Sequence, residues 1–158
     1  MRRAEREITD PSRAFDILSQ ARVARIAYAD SQGLTIVPVT FTPVEEQGAW
    51  YLLMHGAKGG RKYEAWKGGL DVAFEAEAQV SPVVNASPAL NSWRFLTVVG
   101  NGRIEEVTDE ALKHRDLARL LVSHIGRAKS EPLPEDLSFL ACYRLRVHSW
   151  AAKQNGFA

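Results

Sequence analysis

The stretch RVARIAYADSQGLTIVPVTFT, residues 22–42, decides the fold. Val23, Arg25, Ala27 and Ala29 fall on one side of an extended chain, and Ala24, Ile26 and Tyr28 on the other, the period of two that marks a strand. Asp30, Ser31, Gln32 and Gly33 then supply turn chemistry. Residues 34–42 are rich in β-branched side chains and nearly all apolar, so a second strand returns antiparallel to the first. Pro38 stands in its middle with no amide proton for a ladder. It must lie at a bulge, at an edge, or where something other than a strand covers the backbone.

Before this hairpin, Asp10 is a good N-cap and Pro11 suits the first helical position, with Phe15 and Leu18 on one face of a short amphipathic helix. After it, residues 43–48 read as a turn-rich stretch and residues 49–54 as a third strand ending at His55 and Gly56. Gly59 and Gly60 open a short helix over 61–67, whose Tyr63 and Trp66 share a face, and Gly68 and Gly69 close it. Residues 70–77 alternate as a strand; residues 79–92, with Pro82 and Pro88, read as a loop. Residues 93–107 form a long β-rich segment in which Gly100 and Gly102 predict a bulge or a close backbone approach.

Thr108 and Asp109 cap the longest helix, with Leu112, Leu117, Leu120, Leu121 and Ile125 as its apolar stripe and Gly126 as its stop. Pro132 and Pro134 mark a loop, and residues 139–149 return to strand. Phe139, Ala141, Tyr143, Leu145 and Val147 share one face of it, and Arg144, Arg146 and His148 the other. About six strands at hairpin spacing with three helices predict a mainly β fold, an antiparallel barrel or sandwich rather than a doubly wound sheet.

The chain has 158 residues, 46% hydrophobic and 25% charged, which fits one globular domain spanning 1–158 and excludes collagen-like, disordered and disulfide-scaffold classes. Its net charge of +1 offers no global field for nucleic acid or an anionic membrane. Neither partner is expected, and an anion site must be local. A lone Cys142 excludes an internal disulfide and a zinc ribbon, so a reducing compartment, the cytoplasm, is expected. The charged N-terminus lacks the apolar stretch of a signal peptide.

His55-Gly56-Ala57-Lys58-Gly59-Gly60-Arg61-Lys62 gathers cations and small residues between a strand end and a helix start, a layout suited to an anion. Solvated basic residues on a flexible loop are the alternative at this point. A Walker loop is excluded: counting from Gly56, Arg61 stands where that motif needs Gly, and Tyr63 where it needs Ser or Thr. His55, His114, His124 and His148 show no metal-helix spacing, so no metal is expected. His55, beside the basic loop, either lines a ligand site or is structural. There is no Gly-x-Ser-x-Gly elbow, and Cys142 in mid-strand reads as an inert thiol. Of the four tryptophans, Trp150 is a candidate ring-packing residue.

Taken in order, residues 22–28 (Arg-Val-Ala-Arg-Ile-Ala-Tyr), 37–41 (Val-Pro-Val-Thr-Phe), 53–57 (Leu-Met-His-Gly-Ala), 60–62 (Gly-Arg-Lys) and 97–102 (Thr-Val-Val-Gly-Asn-Gly) resemble the pyridoxamine 5′-phosphate oxidase-like flavin-binding split-barrel superfamily. The Gly-Arg-Lys and His-Gly-Ala pieces resemble its nitroimidazole-resistance branch. The resemblance implies a six-stranded antiparallel split β-barrel of the FMN-binding type, dimerising with flavin sites shared between two copies. Arg61 and Lys62 would hold the flavin phosphate, and Val37, Pro38 and Val39 would lie against the isoalloxazine ring. Met54 and His55 would stand beside flavin or substrate, with His55 the candidate catalytic residue. Thr97 would reach in from the partner copy. That branch often carries Tyr-Arg where this chain has Phe95 and Leu96, and the substrate-side Arg and His pattern of vitamin B6 oxidases is not carried over.

The implied activity is an oxidoreductase passing hydride or electrons between flavin and a small or nitroaromatic molecule. The alternatives are a non-catalytic module holding haem through His55, or flavin as a sensor or store, and a reductase using the deazaflavin F420.

Overall fold

The computed structural model describes residues 4–127 and 132–157. In chain order, the strands are β1 (Glu7–Ile8), β2 (Val23–Asp30), β3 (Gly33–Thr40), β4 (Thr42–Glu46), β5 (Ala49–Ala57), β6 (Leu70–Val83), β7 (Ser92–Glu106) and β8 (Leu140–Asn155). Three α-helices accompany them: α1 (Pro11–Gln20), α2 (Gly60–Trp66) and α3 (Glu110–Ile125). Asp10 caps α1 by accepting from the Ser12 amide, and Asp109 caps α3 by accepting from Leu112.

All ladders are antiparallel, and the strand order is β3-β2-β6-β7-β8-β5-β4, with β1 added beside the far end of β8. The two ends of this path, β3 and β4, are consecutive in the chain and separated only by Phe41. Two residue steps span at most about 7 Å, so the two sheet edges must meet and the sheet must curl into a barrel. Taken as one strand bent at Phe41, β3 and β4 leave six long strands; counted separately, and with the two-residue β1, the strands number eight. The segment 43–48, expected as turn, is mostly β4, with the reversal confined to Gln47 and Gly48, both at positive φ. The loop expected over 79–92 shrinks to 84–91, because β6 and β7 continue pairing to Val83↔Ser92 past an irregularity at Ala78/Ser81.

Pro38 sits on β3, which pairs only with β2 among the described strands, so the missing amide proton is tolerated on an open edge. Gly100 and Gly102 also have a reason. A Cβ would fall 2.3 Å from the Ser149 carbonyl oxygen at Gly100 and 2.2 Å from that of Arg146 at Gly102, beside the register shift between β7 and β8. That shift breaks the expected alternation of β8, leaving His148 and Ser149 both exposed.

The barrel interior is filled by Ile26, Tyr28, Phe41, Leu52, Met54, Trp66, Phe74, Val98, Ile104, Tyr143 and Leu145. A smaller cluster, Val107, Leu117, Leu137 and Cys142, lies apart from it, with Leu112 and Leu121 of α3 packed against it. The stripe expected on α3 is therefore corrected. Ile125 is exposed, while Lys113 and Asp116 are buried. Asp116 is accommodated because Arg144 reaches it through two hydrogen bonds of 2.6 and 2.8 Å while also binding Glu46 on β4. Phe139, expected on the inner face, is exposed and precedes β8.

Candidate functional site

β5 carries Leu52 and Met54 into the core and ends at Gly56 and Ala57, where the chain turns through Gly60, at φ 79°, into α2. This brings the Lys62 ammonium against Gly56. A Cβ there would lie 2.9 Å from Lys62 Nζ. The ammonium also lies 5.6 Å from the centre of the Trp66 ring, a cation–π contact, and donates no hydrogen bond within the described residues. Burial pulls its pKa below the usual lysine range, as expected of a cation without a counter-ion.

Arg61 is differently placed. Its Nε and Nη2 grip the two carboxylate oxygens of Asp30 at 2.8 Å each, and Nη2 also donates to the Gly33 carbonyl at 2.9 Å. Its hydrogen bonds hold Asp30 below the usual carboxylate range and push Arg61 up. Arg61 thus fastens α2 to the β2–β3 turn with most of its fork. The two adjacent cations have different situations: one is paired and the other is not.

His55 points away from the barrel interior, on the alternate side of β5 from Met54. Its Nδ1 is buried with no hydrogen-bond partner. Burial first, then Lys62 and His124, lower its pKa. His124, at the last turn of α3, donates from Nε2 to the Phe41 carbonyl at 2.8 Å, since a carbonyl can only accept. Lys62 and His124 thus both lie close enough to His55 to disfavour its charge, near the bend that joins the barrel's two edges. Such a region favours an anion.

Val37 and Val39 turn toward the core while Pro38 faces outward on the open side of β3. Met54 is enclosed in the core, so only its backbone can border a ligand. Thr97 lies on β7 opposite Glu77 and Lys153, its hydroxyl within reach of Glu75 Oε1 (3.0 Å) and the Ala76 carbonyl (3.1 Å). Trp150 stacks on Trp50 with ring centres 5.2 Å apart and lines a groove of about 810 Å³ with Arg146 and His148. The chain brings His55, Arg61, Lys62 and β3 together. Among the described residues, no hydrogen bond, ion pair or ring contact joins Thr97 or Trp150 to the α2 cations.

Asp30 was legible only as a turn residue, although an acidic turn facing a cationic loop was a usable signal. The Asp116–Arg144–Glu46 network had none, because it joins three elements distant in sequence. No group of three or more His, Cys, Asp or Glu is arranged to hold a metal ion among the described residues. None of their helices is long and apolar enough to cross a membrane.

An antiparallel sheet closed on itself through one bent strand, flanked by a short basic helix, defines a split β-barrel protein. The chain belongs to the pyridoxamine 5′-phosphate oxidase family, whose sequence profile matches residues 10–154. A search of curated proteins finds no match to the sequence. Among solved structures, an FAD- and haem-binding protein of Mycobacterium smegmatis is similar with a TM-score of 0.82 at 21% identity, over 96% of this chain and 74% of that one. A flavocytochrome of Azotobacter vinelandii follows at 0.77 and 20%, over 96% and 70%. A proposed 5-nitroimidazole antibiotic resistance protein of Bacteroides thetaiotaomicron gives 0.74 at 18%, over 94% and 86%.

Proposed function

We propose that this chain is a cytoplasmic, homodimeric FMN-binding oxidoreductase acting on a small or nitroaromatic molecule, with flavin sites shared between the two copies. The observation that carries the reading is the Lys62 ammonium. It is half-buried, donates no hydrogen bond within the described residues, and packs into the space that the missing side chain of Gly56 leaves. A phosphate supplies what that cation lacks. The buried, unpaired Nδ1 of His55 next to it fits a ligand in the same place. Family membership and the flavin-binding neighbours support the choice of flavin over other phosphates.

Lys62 would hold the phosphate, with the Arg61 Nη1 left over from its grip on Asp30 adding a second contact. The open edge of β3, around Val37, Pro38 and Val39, offers backbone groups to the ring. Bound flavin supplies hydride or electron transfer at N5. The chain's own residues bind, orient and exclude water. His55, held neutral by its surroundings, can accept or donate a proton at Nδ1. Thr97 and Trp150 complete the site from the second copy.

A visible spectrum of the purified protein, followed by titration of the ligand-free form with FMN and with F420, tests this. Flavin bands or saturable FMN uptake are expected. A protein that takes up neither flavin refutes the reading, and uptake of F420 alone replaces FMN in it. The unpaired His55 nitrogen, together with the haem-binding neighbour, favours one second reading: haem held through His55. A Soret band abolished by His55→Ala would establish it.

A further inference from the structure

The fifteen residues Gln79–Trp93 contain no Asp, Glu, Lys, Arg or His, in a chain one quarter of which is charged. They form a hairpin arm built from the ends of β6 and β7, set off from the rest of those strands by the irregularity at Ala78/Ser81 and by Gln79 at φ 54°. The arm is structured. Ser81, Pro82 and Val83 pair with Arg94, Trp93 and Ser92, and the Asn85 amide donates to Asn91 Oδ1 at 2.7 Å. Its base is tied to the C-terminal segment, where Asn155 donates to the Trp93 carbonyl and Arg94 to the Gly156 carbonyl. Yet Val80, Val84, Leu90 and Trp93 are each at least half exposed.

The same chain carries a matching surface. Ala27, Ile36, Phe74, Val99, Gly100 and Trp150 line a mainly apolar groove of about 580 Å³ on the outside of β2, β3, β6, β7 and β8. Of the eleven large apolar side chains exposed among the described residues, four lie on the arm and two, Ile36 and Val99, on the groove. A seventh, Leu34, is two residues from Ile36 and shares its side of β3. The exposed apolar surface is thus gathered on two features rather than scattered, well beyond isolated surface residues.

We propose that the β6–β7 arm of each copy docks into the outer groove of a second copy, as the clasp of the homodimer; this rests on the homodimeric reading above. One two-fold operation buries two arms and two grooves, so a single chain supplies both halves of each contact. The uncharged arm offers no pairing for a charged partner. It also lacks the cations with which an interfacial element holds an anionic membrane. Trp93 is the natural anchor, because a large amphipathic ring in an apolar pocket dominates such contacts.

Sedimentation equilibrium of the full chain tests this. The wild type is expected at twice 17.6 kDa at micromolar concentration. Val84→Glu with Leu90→Glu, at the exposed arm tip, should raise the dimer dissociation constant at least tenfold with an unchanged far-UV spectrum. Should that pair disturb folding, Val84→Lys alone repeats the measurement. Ile36→Glu in the groove should weaken the dimer similarly. A monomeric wild type overturns the homodimeric reading and the clasp with it. A dimer that the arm substitutions leave intact overturns the clasp alone. A dimer weakened by the arm substitutions but not by Ile36→Glu overturns the groove as the docking surface.

Discussion

Replacing Lys62 by Ala separates two cations that the sequence presents as equivalent. Arg61 spends three hydrogen bonds on Asp30 and Gly33, so its fork is largely satisfied without ligand. Lys62 donates no hydrogen bond among the described residues, and burial disfavours its charge. A phosphate beside it would form a charge-assisted hydrogen bond with a half-buried cation, a contact of roughly 1.5–3 kcal/mol. At 1.4 kcal/mol per decade, Lys62→Ala should weaken FMN binding by about 10- to 150-fold. Arg61→Ala should weaken it less, its main effect being to release α2 from the β2–β3 turn. Gly56→Ala keeps the charge but places a methyl group 2.9 Å from Nζ, so it should displace the flexible ammonium and also weaken FMN binding. The assay is fluorescence titration of each ligand-free variant with FMN and, in parallel, with riboflavin, which lacks the phosphate. Riboflavin affinity should stay within about twofold for Lys62→Ala. Unchanged FMN affinity, or an equal loss for both ligands, would show that Lys62 is not the phosphate residue.

Three other outcomes follow from the geometry. His55 titrates below its unfolded value near 6.5, so between the two values the unfolded chain binds the extra proton and stability falls as the pH drops. His55→Gln should flatten that slope in denaturant titrations run between about pH 5 and 7.5; an unaltered slope would locate the effect elsewhere. Arg144→Ala strands the Asp116 carboxylate, only 4% exposed, and should cost roughly 3–5 kcal/mol in urea unfolding. In the same network Glu46 is lowered to about 2, chiefly by its hydrogen bonds to Arg144 and Arg119, so its contribution, complete above about 4.5, disappears as the pH falls toward 2. Glu46→Gln should remove that part of the acid dependence. Gly100→Ala drives a Cβ to 2.3 Å from the Ser149 oxygen and 2.6 Å from the Phe74 ring, so a loss of about 1–3 kcal/mol or more is expected; a neutral effect would mean that the β7–β8 pairing gives way easily.

The legible parts of this chain are those governed by local rules. The alternation of residues 23–29 and the Asp10 and Asp109 caps were readable because each depends on neighbours within a few residues. Pro38 announced an unusual position, and the structure makes it an open edge. What could not be read was set across the barrel. The strand β4 hides in a Pro- and Glu-containing segment because β5 pairs with it residue for residue. The buried face of α3 includes Lys113 and Asp116, against every hydrophobic pattern, because Arg144 arrives from a strand 28 residues beyond Asp116. At the candidate site, the cationic loop was visible but not its division of labour, since the partner of Arg61 lies 31 residues away.

That division bears on how an open edge can serve as a binding surface. An unpaired strand edge is ordinarily a liability, free to slip or to recruit another strand. Here β3 is fastened at both ends. At its start, Arg61 holds both the Asp30 carboxylate and the Gly33 carbonyl. At its end, the His124 N–H holds the Phe41 carbonyl, where the chain crosses to the other edge of the barrel. Pro38, between them, removes a donor that a competing strand would need. With both ends fixed, the free groups of residues 34–40 keep their positions without a neighbouring strand. Such a surface can meet a planar ligand without first being ordered, so less of the binding energy is lost to ordering the protein. The paired cation is thus as much a part of the site as the unpaired one. Arg61 sets the edge, and Lys62 is left free to meet the charge.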